Sequence, residues 1–212
     1  MNILFLKITN DYDSLVGSIK KIGGLFGYHT EVYDFNGFSN LREHLCNQRP
    51  PNEKIDIIFV AAHSNIDLIS NDTNGSETLT WKDFADLLCG CDGITDNTKI
   101  YLGCCDGGYK KISLTMMTRC PSINSVSGTP CVLNTHQSPL AFHTLLYGLD
   151  IKADDQQIAR MVSSSIGISF NIHSRNELVG ELAALSTVQA LHFAGNSLEN
   201  LDFDLIEFPF EL

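Results

Sequence analysis

"IDIIFVAAH", Ile55 to His63, is the run that decides the fold: nine residues, one charge, and an unbroken β-branched and aromatic core that reads as a buried strand. Similar runs stand on either side of it, at NILFLKIT (2–9), HTEVYDF (29–35), TKIYLGCC (98–105) and INSVSGT (123–129). Helical spacing fills the gaps. One helix is expected near 13–26 with Asp11 or Asp13 as its cap, and a short one in FSNLREHLCNQ stopped by Pro50 and Pro51. Another is opened by Thr80 through WKDFADLLCG with Asp83 in a capping-box position, and YKKISLTMMTRC ends at Pro121. Strand and helix in alternation predict an α/β fold, a three-layer sandwich with a mainly parallel central sheet. Within SNIDLISNDTNGSETLT, the NDTNGS core predicts a hairpin turn.

Beyond Pro139 the pattern is mostly helical, in SPLAFHTLLYGL, DDQQIARMVSSSIG and ELAALSTVQALHF, and LDFDLIEFPFEL is expected to close the chain as an edge strand. With no break in composition, the 212 residues read as a single domain: core elements over 1–150 and a helical C-terminal portion over 151–212. The content of 43% hydrophobic and 18% charged residues gives ample material for a packed interior. A net charge of −11 repels nucleic-acid backbones and anionic membranes, so neither is expected as a partner. The N-terminus lacks a secretory pattern and no apolar stretch approaches the ~20 residues of a membrane span. Seven cysteines without a disulfide-framework spacing fit a reducing compartment, and a cytoplasmic location is expected.

In a parallel α/β sheet, ligands and chemistry collect at the carboxyl ends of the strands. His63 closes one predicted strand, and Cys104 with Cys105 closes the next. Neighbouring strands lie ~5 Å apart, which would bring an imidazole and a thiol within working range as base and nucleophile. Strand alternation assigns Cys104 to the apolar side and Cys105 to the open one. Asp106, Gly107 and Gly108 follow, and glycines there would let backbone amides turn toward a substrate oxygen.

The strand ending in His63 and the block Leu102-Gly103-Cys104-Cys105-Asp106-Gly107-Gly108 resemble the two catalytic blocks of the caspase-like cysteine peptidases, nearest to their bacterial CHAT branch. That family ends one strand in His-Gly and another in Ala-Cys; here Ser64 stands in place of the glycine. The resemblance covers roughly the first 150 residues as an ordered set of elements. It implies Cys105 as nucleophile, His63 as general acid and base, and the amides near Ser64 and Cys105 as oxyanion donors. It also implies that the loop after the first strand, at Asn10 or Asp11, selects the P1 side chain, with a carboxylate favouring a basic residue. The strand Ser125 to Gly128, including Ser127, would pair with the substrate backbone. The implied protein is a regulated bacterial effector, for instance in defence or cell death, acting on a polypeptide after a basic or small residue. It would use no cofactor or metal and would answer to an activating small molecule or protein.

Other readings use the same residues. His136, in a polar loop, and His143, in a helical pattern, are rivals for the base. Cys89, Cys91, Cys104 and Cys105 suggest zinc, although adjacent strand residues face opposite ways. Gly107 and Gly108 before a helix could cradle phosphate, but no dinucleotide or P-loop pattern accompanies them. The runner-up is a flavodoxin-like or TIR-like module that binds a nucleotide or protein at the same strand ends without catalysis.

Overall fold

The computed structural model describes residues 1–48, 53–72, 76–91 and 93–185. Its backbone divides into a unit spanning Met1–Arg175 and a second spanning Asn176–Leu212. In the first unit the apolar runs become strands β1 (Asn2–Lys7), β2 (His29–Asp34) and β3 (Ile55–Ala61). A small antiparallel sheet follows, made of β4 (His63–Ser64), β5 (Leu68–Ser70) and β6 (Thr78–Thr80); the centre of the turn expected in NDTNGS, residues 73–75, lies outside the described residues. The main sheet continues with β7 (Ile94–Leu102), β8 (Ile123–Gly128) and β9 (Asn171–Ser174).

The main sheet runs in the order β2-β1-β3-β7-β8-β9, with every pairing parallel except the last. Helices connect the strands: α1 (Val16–Leu25), α2 (Phe38–Glu43), α3 (Trp81–Cys89), α4 (Lys110–Arg119), α5 (Gln137–Asp150) and α6 (Asp155–Ile166). Helix α7 (Arg175–Leu185) carries the chain into the second unit. It overlaps the start of the predicted ELAALSTVQALHF helix, whose remainder, like the LDFDLIEFPFEL edge strand, lies outside the described residues.

Alternation along the strands sends Ile3, Phe5, Ile57, Phe59 and Tyr101 to one face, where they pack with Ala141, Phe142 and Leu145 of α5 and Ile158 and Val162 of α6. Their neighbours Leu4, Leu6, Ile58, Val60, Ile100 and Leu102 point the other way and are equally buried. Both faces of the sheet are therefore covered, which is why its strands read as continuous apolar runs. Thr80 caps α3 as expected: its hydroxyl accepts from the Asp83 N–H at 3.1 Å and donates to the Asp83 carboxylate at 2.7 Å.

Four expectations are corrected. The first helix begins as a 3₁₀ turn over Asn10–Leu15 whose cap is Thr9, not Asp11 or Asp13. The strand expected over 55–63 ends at Ala61, and His63 turns into the small sheet. The strand expected over 98–105 ends at Leu102, so Cys104 and Cys105 sit in the turn that follows. Finally, β9 interrupts a stretch expected to be helical, because its four residues gain their conformation by pairing with β8.

Candidate active site

Where the order of strands passes from β1 to β3, the chain's connections reverse direction: β2 lies on one side of β1 and every later strand of the main sheet on the other. The crevice outside the carboxyl ends at such a point is the usual ligand site of an open α/β sheet. The loop after β1 brings Asn10, Asp11 and Tyr12 to this crevice, and the end of β3 brings His63.

Cys105 lies just past the end of β7. Val60 pairs with Leu102, and the Gly103 N–H extends the ladder by donating to the Val60 carbonyl at 2.8 Å. Both strands end before these residues, at Ala61 and Leu102, so what sets the segments of His63 and Cys105 side by side is a direct contact between them. Ser64 ties them, because its hydroxyl donates to the Cys105 carbonyl. The Cys105 thiol itself is directed toward the Leu133 carbonyl, 3.9 Å away, and forms no hydrogen bond with His63 among the described residues. Contacts of this kind commonly tighten only when substrate is bound.

His63 is oriented by Asp11, whose Oδ2 lies 3.0 Å from Nε2. The contact meets the ion-pair distance without the alignment of a hydrogen bond, and it engages Nε2 while leaving Nδ1 to face a reacting group. The contact spans the β1 and β3 ends, and its two side chains are 29% and 56% exposed. Asp11 therefore sits on the histidine, not in an independent pocket, while Asn10 is exposed beside it.

The next residue, Tyr12, is buried and donates its hydroxyl to the Gly103 carbonyl at 2.7 Å, bracing the turn that carries Cys105. Burial holds the Tyr12 phenol well above its ordinary range, with the nearby Cys104, Cys105 and Asp11 adding to the shift, so it acts as a neutral donor. Sequence reasoning missed Tyr12; its one signal was an aromatic inside an otherwise polar NDYD turn.

Cys104 and Cys105 divide as expected, although by a turn instead of by strand alternation. Cys104 is buried, and burial pushes its thiol up to about 12, with the Ser64 hydroxyl partly offsetting the shift. Cys105 is partly exposed, and its N–H has no acceptor among the described residues. The Ser64 N–H is also directed outward. Asn65 bonds Leu68 across the β4-β5 turn, and antiparallel pairs alternate, so Ser64 opposite Ile69 is the non-bonded pair on an edge strand.

Asp106 has φ +60, a left-handed conformation uncommon for a residue with a side chain. Its N–H donates to the Cys131 carbonyl at 3.3 Å, and burial raises its carboxyl above the usual range. The glycines that follow do not supply slack. A Cβ on Gly107 would lie 2.6 Å from Leu102 Cβ, and one on Gly108 would lie 2.7 Å from the carbonyl carbons of Gly128 and Thr129. Gly108 also donates to the Thr129 carbonyl at 2.9 Å. These residues are small so that the turn after β7 can lie directly on the end of β8.

That contact and the sheet order exclude the expected use of Ser125, Ser127 and Gly128 as a pairing edge for substrate. β8 is paired with β7 on one side and β9 on the other, and Ser125 and Ser127 are buried. The Ser127 hydroxyl donates to the Ile100 carbonyl at 3.1 Å, and Gly128 is packed against Gly107 and Gly108. Of the rival bases, His143 packs its ring against Phe26, and His136 is exposed ahead of α5. No group of three or more His, Cys, Asp or Glu placed to hold a metal occurs among the described residues, and none of their helices is long and apolar enough to cross a membrane.

No protein-family model matches the chain, and no curated protein is found to match it. The functional reading rests on these residues and their geometry.

Proposed function

We propose that the protein is a cysteine endopeptidase of the caspase-like type, with Cys105 as nucleophile and His63 as general acid and base. The observation that carries this reading is the bond from the Ser64 hydroxyl to the Cys105 carbonyl, which sets a partly exposed thiol next to the segment of a histidine that Asp11 contacts, at the switch point of a parallel sheet. The His63 Nδ1 takes the Cys105 proton, and the thiolate attacks the scissile carbonyl carbon. The outward N–H groups of Ser64 and Cys105 hold the oxyanion. His63 returns the proton to the leaving amine, and water, activated by the same imidazole, hydrolyses the thioester.

Asp11 takes a different part from the one the family resemblance implies: it orients His63 and stabilises the imidazolium, the role a carboxylate plays behind histidine in hydrolytic triads. Preference for a basic or small P1 residue is kept, with Asp106 as the acidic side chain nearest in sequence to the nucleophile and without an ion pair among the described residues. The nucleotide-binding alternative is disfavoured by charge. In doubly wound folds the phosphate meets the helix start after the first strand, and that turn here carries two acids, Asp13 paired with Lys7 and Asp11 against His63.

The test is covalent labelling of the intact protein by an electrophilic peptidyl probe with lysine at P1, located by peptide mapping. Labelling at Cys105 that is lost in Cys105→Ala and depressed in His63→Ala supports the proposal. Labelling that survives Cys105→Ala overturns it.

A further inference from the structure

Four of the seven cysteines take no part in this site, and they gather at the opposite, amino-terminal end of the sheet. Cys46 precedes β3, Cys89 and Cys91 bracket Gly90 between α3 and β7, and Cys120 caps α4 just before β8. The CGC sequence that suggests a metal pair is instead split between two partners. Cys91 faces Cys46, and Cys89 lies beside Cys120.

The Cys46 and Cys91 sulfurs are 2.8 Å apart, closer than non-bonded sulfurs ordinarily approach and longer than the ~2.0 Å of a covalent S–S bond. The two thiols differ in access. Cys91 is buried and also contacts the Leu87 carbonyl at 3.4 Å, whereas Cys46 is partly exposed. Cys46 opens into a cleft of about 490 Å³ lined also by Ser39, Arg42, Glu43 and Gly90. Burial and the neighbouring Cys46 raise the Cys91 thiol, an effect that Arg42, which lines the same cleft as Cys46, partly offsets. An accessible sulfur beside a guanidinium, with a second sulfur behind it, has the parts of a peroxide-reactive dithiol.

We propose that Cys46 and Cys91 form an oxidation site for hydroperoxides, with Cys46 as the peroxidatic sulfur in the Arg42 cleft and Cys91 as the resolving one. The Cys46 thiolate attacks the terminal peroxide oxygen; an S–O bond forms, the O–O bond breaks, and the other oxygen leaves as hydroxide or alkoxide and is protonated to water or alcohol. Cys91 sulfur then attacks Cys46 sulfur; an S–S bond forms, the S–O bond breaks, and the Cys91 proton leaves with the departing oxygen as water. Two thiols lose two electrons and one peroxide gains them. The resulting bond ties the segment before β3 to the end of α3, a part of the fold that does not touch Cys105.

The test uses the full chain carrying Cys89→Ser, so that Cys91 is the one thiol of its tryptic peptide, treated with hydrogen peroxide in slight excess. The expected product is about 2 Da lighter, maps as a Cys46–Cys91 link and reverts with dithiothreitol. Adding Cys91→Ser should stop the reaction at a sulfenic acid that dimedone traps at Cys46. Adding Cys46→Ser, at a partly exposed position that tolerates the change, should leave Cys91 a free thiol. Survival of all thiols in the parent, a link between other cysteines, or oxidation of Cys91 in the Cys46→Ser protein would overturn the proposal. None of these readouts depends on Cys105 reactivity.

Discussion

Replacing Asp11 by asparagine separates the two parts that a carboxylate at the β1 end could play. The substitution keeps size and hydrogen-bonding capacity and removes the charge 3.0 Å from His63 Nε2. Coulomb's law gives about 5.5 kcal/mol for unit charges at that distance with an effective dielectric of 20, and about 1.4 kcal/mol in water. Asp11 is 56% exposed, so the aqueous limit applies, and loss of the charge should destabilise the thiolate–imidazolium pair by about 1.4 kcal/mol. That corresponds to a rate about tenfold lower. The assay is the second-order rate of Cys105 modification by neutral iodoacetamide and by peptidyl probes with lysine or alanine at P1. A positioning role slows all three reagents by the same factor. An unchanged iodoacetamide rate, or a loss confined to the lysine probe, would refute the reasoning and return Asp11 to substrate selection.

Three further outcomes follow from the packing around the site. Gly108→Ala places a Cβ 2.7 Å from the carbonyl carbons of Gly128 and Thr129, where no flexible side chain can yield, and should cost about 1–3 kcal/mol in urea unfolding. Gly17→Ala, in α1 with nothing within 4 Å, is the control and should gain up to about 1 kcal/mol; equal midpoints for the two variants would contradict the close-approach argument. Ser64→Ala removes the donor to the Cys105 carbonyl, so stability should fall by about 1 kcal/mol and Cys105 labelling should slow; unchanged labelling would show that the tie does not position the nucleophile. Burial raises the thiols of Cys104 and Cys120 to about 12, so above pH ~9 the unfolded chain releases protons that the native protein keeps. Stability under reducing conditions should therefore fall as pH rises from ~9, by up to about 1.4 kcal/mol per pH unit per thiol, and Cys104→Ala should flatten the slope. An identical slope in the variant would count against burial of that thiol.

The parallel strands were legible because both faces are covered, which leaves apolar runs with nothing polar to interrupt them. β7 was mis-bounded for the opposite reason: its first residues, ITDNT, are largely polar, and its pairings shift register near Ile55 and Thr98. β9, with the sequence NIHS, is half-buried and has no period to read; it exists because β8 offers a free edge. At the site, the neighbouring ends of β3 and β7 could be read from sequence, because each closes an apolar run. The Asp11 contact could not, since it depends on β1 lying next to β3. The glycines after Cys105 pointed to the right place for the wrong reason. A glycine in a turn signals freedom or close approach equally, and only the neighbour, here the end of β8, decides between them.

Strand order does not choose between a hydrolase and a ligand-binding module, because the parallel strands run in the flavodoxin-like order of 2-1-3-4-5. The choice rests on what occupies the switch point. A phosphate site there needs open N–H groups and a positive field, and here Lys7 at the end of β1 is paired with Asp13 and Asp34 while Asp11 adds a further negative charge. A nucleophilic site needs a thiol on a fixed backbone with a freely turning side chain. Tyr12 holds the Gly103 carbonyl, Ser64 holds the Cys105 carbonyl, and the Cys131 carbonyl holds the Asp106 N–H, so the Cys105 backbone is braced from three segments. Among the described residues the thiol has one weak acceptor, the Leu133 carbonyl at 3.9 Å. A sulfhydryl is a poor donor, so little holds its χ1 in place. The rigidity lies in the backbone and the freedom in a single torsion, which is the distribution that a nucleophile requires and a packing residue does not.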